Sequence, residues 1–240
     1  LSGSNNSTGT VRLLAGTLEL TGGSALGDTA PVTFLTTGGV PATLSLLAGQ
    51  TETIGTLSGG STSNASSNIL LGSNSVLTVN QTAAGTYSGL ITGGVDATLI
   101  KSGPSVLTYQ GNSATTFTGS LVINGGGVTL SGNGVGRLGA LSITLNAGEL
   151  QIIQDQTSSQ DRVVNGATVT LNNTAGTNGL LLNASNNGGR SDTIGTIALG
   201  AGQNVFTLNG SGGTSAVGTL TVGGATGLTR DNNATALVRG

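Results

Sequence analysis

The chain has 240 residues, with 7 Lys+Arg against 9 Asp+Glu and a formal net charge of −2, so it lacks the clustered cations that bind a phosphate backbone, which speaks against nucleic acid as a partner. Cys and His are both absent, which removes disulfides, Ser-His or Cys-His nucleophiles and the usual transition-metal sites. Hydrophobic residues make up 35% and charged residues only 7%, whereas disordered chains combine low hydrophobicity with many charges, so a buried core is expected.

From the N-terminus, Leu1 is not a start residue, and no basic segment followed by an apolar run opens the chain. The expectation is a mature product or a piece of something longer. Thr10 to Leu20 reads as a strand, a Gly corner at Gly16 and a second strand. It follows Thr8-Gly9 and leads into a Gly-rich corner ending at Leu26-Gly27. Thr53-Ile54-Gly55-Thr56-Leu57 comes next and returns later as Thr193-Ile194-Gly195-Thr196-Ile197, with a weaker copy at Val217 to Leu220. Ser75-Val76-Leu77-Thr78-Val79-Asn80 returns as Ser105 to Gln110. Ala167 to Asn172 and Asn204 to Asn209 have the same shape. Ser120 to Leu130 repeats Thr10 to Leu20 without gaps, again between Thr118-Gly119 and Leu138-Gly139. In the shorter echoes apolar residues alternate with Thr or Ser, the period-two pattern of strands with one buried face. With 44 Gly spread along the chain, helices of ordinary length are excluded. Gln151 to Val164 breaks the pattern: it holds Asp155, Asp161 and Arg162 and no Gly, and reads as an extended loop or a wider coil.

An antiparallel sandwich would use hairpins at regular spacing. The long-range echoes favour one corner-strand-corner unit used again and again, as in a solenoid whose coils stack on near copies of themselves. The expected fold is all-β, a β-solenoid running continuously from 1 to 240. At about 20–25 residues per coil it makes about ten coils, and at about 4.8 Å per coil a rod about 50 Å long.

Leu99-Ile100-Lys101-Ser102-Gly103-Pro104-Ser105-Val106-Leu107-Thr108-Tyr109-Gln110-Gly111-Asn112, then Phe117-Thr118-Gly119, then Leu121 to Leu130, resembles the autotransporter-associated β-strand repeat. The clearest copies span 99–139 and, truncated at its start, 1–27. The second copy lacks the Lys-Gly half and the aromatic before Thr8-Gly9. The resemblance implies a right-handed parallel β-helix of bacterial surface or secreted passenger regions, and no particular ligand. The outer-membrane barrel of an autotransporter is not represented, because 224–240 has no alternating aromatic strands.

Some β-helices cleave polysaccharides with paired carboxylates. The acids here (Glu19, Asp28, Glu52, Asp96, Glu149, Asp155, Asp161, Asp192 and Asp231) form no Asp-x-Asp on a strand, so an enzyme is not expected. Asp155, Asp161 and Arg162 are the one cluster, a candidate ligand loop that reads more simply as a solvated loop. No cofactor is implied, and the Gly-Gly-x-Gly-x-Asp calcium repeat is missing. The few aromatics are expected in the core or at corners. Outward Thr ladders order water on ice-binding faces, but the strands do not carry Thr-x-Thr on every coil. No stretch nears about 18 apolar residues, so no membrane span is expected. The expected function is therefore that of an extracellular or cell-surface structural stalk or fibre whose partner is itself, end to end, or more of the same chain. A glycan- or surface-binding adhesin is the alternative.

Overall fold

The computed structural model describes residues 1–35, 40–61, 67–154, 160–172, 174–184, 188–210, 216–231 and 233–240. Among them there is no helix, hence none able to cross a membrane, and every strand pairing is parallel. The strands stack into three sides of a coil. One side is a ten-stranded sheet that begins with Val11–Leu13 and ends with Thr235–Arg239. A second is an eight-stranded sheet from Thr51–Ile54 to Leu228–Arg230. The third side is broken into pieces. A four-stranded sheet runs from Gly16–Leu20 to Leu90–Gly93, the short pair Asn112–Ser113 and Arg137–Leu138 follows, and Gly188–Ile194 with Ala216–Val222 closes it. Single bridges Gly93↔Phe117 and Leu138↔Val163 extend the first two pieces by one coil each. The parallel β-solenoid expected from the repeats is thus the fold.

The coil count needs correction. Successive coils are 22 residues long from Val76 through Thr98 and Ser120 to Ser142. They then lengthen to 26 residues (Ser142 to Thr168), 28 (Thr168 to Thr196) and 31 (Ile197 to Leu228). The eight strands of the second side span about seven turns, and the longest side carries ten strands. The long corners of the C-terminal half consume residues without adding rise.

Register explains both the core and the surface. On the eight-stranded sheet, one inward column runs Ile54, Val79, Lys101, Ile123, Leu145, Leu171, Leu199. A parallel column starts at Glu52 and continues through Leu77, Leu99, Leu121 and Ile143. Their apolar members are buried, each Leu or Ile contributing about 1.5–3 kcal/mol on removal from water. Between them, two outward columns stand on the same strands. The first is Thr51, Val76, Thr98, Ser120, Ser142, Thr168, Thr196. The second is Thr53, Thr78, Ile100, Val122, Thr144, Thr170, Ala198, Thr229. At the adjoining corner Asn172 Nδ2 donates to Asn146 Oδ1 (2.8 Å), and Asn146 Nδ2 donates to Asn124 Oδ1 (3.0 Å), an amide ladder along the axis.

The aromatics lie inside, as expected: Phe34, Tyr87, Tyr109, Phe117 and Phe206 are all buried. On the ten-stranded sheet Gly59 stands between Phe34 and Tyr87 in register. Without a side chain there, the two rings approach to 5.2 Å across it, and Tyr87 stacks on Tyr109 at 6.2 Å.

Candidate functional site

Parity along a strand decides where a side chain points, and three charged residues share the parity of core neighbours. Glu52 alternates with Ile54, Lys101 with Leu99, and Asp192 with Ile194, and all three are buried. Each has found polar partners. Glu52 accepts the N–H groups of Ala25 (2.9 Å) and Leu26 (2.8 Å). Lys101 Nζ donates to the carbonyls of Ser102 (2.8 Å), Gly103 (3.1 Å) and Gly125 (3.0 Å), tying one corner to the corner of the next coil. Burial pushes its ammonium down to about 8.

Asp192 is where the predicted cluster leads. Its Oδ2 accepts from Arg162 N (2.7 Å) and from Gln154 Nε2 (3.0 Å), while Oδ1 is buried without a hydrogen-bond partner among the described residues. Gln154 Nε2 also donates to Gln160 O (2.8 Å). Asp161 Oδ1 accepts Thr193 N (3.0 Å), and Asp161 O accepts Arg137 Nε (2.9 Å). Burial pushes the Asp192 carboxyl up to about 7, the nearby Asp161 carboxylate adds to the rise, and the N–H of Arg162 and the Gln154 amide oppose it.

Of the candidate ligand loop, Asp155 lies outside the described residues, and Asp161 and Arg162 come together. The solvated-loop reading is corrected for Arg162, which is only 2% exposed, because residues 161–163 continue the broken third side instead of leaving the rod. The wider coil expected there is present: Leu150 pairs with Leu180, 30 residues on. Asp192 was missed as a partner because it is 31 residues from Asp161, and its parity with Ile194 was the available signal. Two facing carboxylates with one raised pKa are the ingredients of acid–base chemistry. Asp192 has no exposed surface, however, so its position is that of a tie between the ten-stranded side and the broken third side. No group of three His, Cys, Asp or Glu that could hold a metal occurs among the described residues.

Two other features face solvent. A groove of about 480 Å³ lies against the ten-stranded side, bounded by Pro104, Val106, Glu149, the 175–178 loop and Arg239. Glu149 Oε2 accepts Asn178 Nδ2 (2.8 Å) and so braces the loop. At the C-terminal coil an apolar recess of about 210 Å³ opens between Phe206, Leu220, Val222, Leu228 and Val238. Leu228 is 62% and Val238 67% exposed there, although their strand neighbours Ile197 and Phe206 are buried. No protein-family model, no curated protein and no solved structure matches this chain.

Proposed function

We propose that the chain is a non-enzymatic extracellular structural protein, a piece of a surface stalk or self-assembling fibre that lengthens as solenoid coils stack on its terminal coil. The observation that carries this reading is the apolar recess at Phe206, Leu228 and Val238. A solenoid coil without a neighbour presents unpaired strand edges and an open core, and another coil covers both. The similarity of 99–130 to the autotransporter-associated repeat supports a bacterial cell-surface setting. The scarcity of charge supports it too, since stacking needs no buried ion to be desolvated.

Negative-stain micrographs of the purified chain test the fibre directly. Filaments of the rod's width, or end-to-end rows, are expected at high protein concentration. Isolated short rods with free ends at every concentration would count against self-assembly. A second reading, a glycan or surface adhesin, is favoured by the groove at Glu149, Asn178 and Arg239. Screening the chain and its Glu149→Ala variant on immobilised glycans distinguishes it: binding that the variant loses places the activity on the side of the rod.

A further inference from the structure

We infer that the outer face of the eight-stranded sheet binds ice, holding a layer of water in lattice order. Its two outward columns are built from Thr, Ser, Val, Ile and Ala alone. None of the chain's 7 Lys+Arg or 9 Asp+Glu stands in either column, so no ionic group pulls first-layer water out of order. The central outward column of the ten-stranded sheet has its own Thr/Ser run (Thr33, Ser58, Thr86, Thr108, Thr129), but Arg12 and Arg239 stand at its ends and Gln151 and Leu181 interrupt it.

The face repeats in two dimensions. Rows are about 4.8 Å apart along the axis and columns about 6.6 Å apart along a strand, from ordinary parallel-sheet geometry. Both repeats lie near those of water oxygens on the faces of hexagonal ice. In the stretch from Thr51 to Thr170 no strand pair slips, and the first irregularity comes at Leu171/Asn172. β-branched side chains keep few χ1 rotamers, so the hydroxyls and methyls are already ordered before water arrives. Ordering a bridging water costs entropy, and a surface that repeats at the lattice spacing lets neighbouring waters share that ordering. The hydroxyls anchor waters while the methyls of Thr, Val and Ile leave room for cages between them. Uncharged small side chains, no exposed aromatic in either column and this spacing together favour ice over a single sugar chain, which wants stacking platforms. A Thr-x-Thr search along the sequence misses the face, because Ser120, Val122 and Ile100 substitute within it.

The test is freezing hysteresis and ice-recrystallisation inhibition of the purified chain, with partition of the labelled chain into a growing ice crystal. The parent is expected to shape ice, to show a hysteresis gap and to enter the ice. Thr144→Tyr, in the middle of the face, removes most of that activity, and Val122→Lys does the same by placing a charge there. Thr86→Tyr, on the outer side of the ten-stranded sheet, keeps it. Circular dichroism and melting temperature establish that each variant is folded. Exclusion of the parent from ice with no hysteresis overturns the inference, as does full activity in folded Thr144→Tyr or Val122→Lys. Binding of the parent to crystalline chitin or cellulose without any effect on ice also overturns it.

Discussion

Replacing Lys101 by Met tests whether an ammonium stands inside the core. Met keeps the length and apolar stem but cannot donate to the carbonyls of Ser102, Gly103 and Gly125. The lysine titrates at about 8 when folded, against 10.5 unfolded. Between those values the unfolded chain holds more protons, so the stability of the parent rises with pH. At about 1.4 kcal/mol per pKa unit, the gain from pH 7 to pH 9.5 is about 2 kcal/mol. The Met variant has no proton to lose at this position and lacks that rise. At pH 7 its loss of three carbonyl bonds is offset by the absence of a buried charge, so the slope discriminates better than the absolute stability. Urea unfolding followed by tyrosine fluorescence reads this locally, because the chain has 2 Tyr and no Trp, and Tyr109 lines the same small void of about 10 Å³ as Lys101. The scan stays below pH 10. Burial raises the pKa of Tyr87 and Tyr109 when folded, so above their unfolded value these phenols reverse the trend. A parent whose stability does not change between pH 7 and 9.5, or a Met variant with the slope of the parent, refutes the buried-ammonium account.

Three further outcomes are expected. Asp192, at about 7 folded against 3.8 unfolded, binds its proton more tightly in the fold, so stability falls as pH rises from about 4 through 7, by roughly 3–4 kcal/mol in total. Asp192→Asn lacks that component, and denaturation midpoints of the two proteins across this range check it. Gly59→Ala would drive a Cβ into the carbonyl oxygen of Phe34 at a φ of +85°, so a loss of about 2–3 kcal/mol and weakened Phe34–Tyr87 packing should appear in thermal unfolding. Glu52→Ala strands the N–H groups of Ala25 and Leu26, at about 1–3 kcal/mol each, and hydrogen exchange should accelerate at those two amides before it does in the central coils.

Much of the fold was legible in the chain because its signals are local. Alternation in Val76 to Asn80 and Thr168 to Asn172 defines strands, and Gly at corners defines bends. The same parity rule places Glu52, Lys101 and Asp192 inward, although a reading that groups charges by closeness in sequence passes over them. The Asp155, Asp161 and Arg162 cluster shows that failure: it joined sequence neighbours, while the carboxylate that Arg162 meets comes from Asp192.

Local pattern alone makes this an all-β chain of short amphipathic strands, poor in charge and in chemically reactive side chains, with the repetition that makes stacking the readiest way to bury Leu, Val and Ile. The coil lengths emerge only in three dimensions, because corners grow from 22-residue to 31-residue coils without any change in strand pattern. The tertiary structure also decides which outward residues share a column. Thr51, Thr98, Ser142 and Thr168 are far apart in the chain, and they become neighbours because backbone hydrogen bonds hold each coil in register on the last. Register is a non-local property, set by the whole inward ladder at once, and a slip of one residue in any strand would turn that strand's outward hydroxyls into the core.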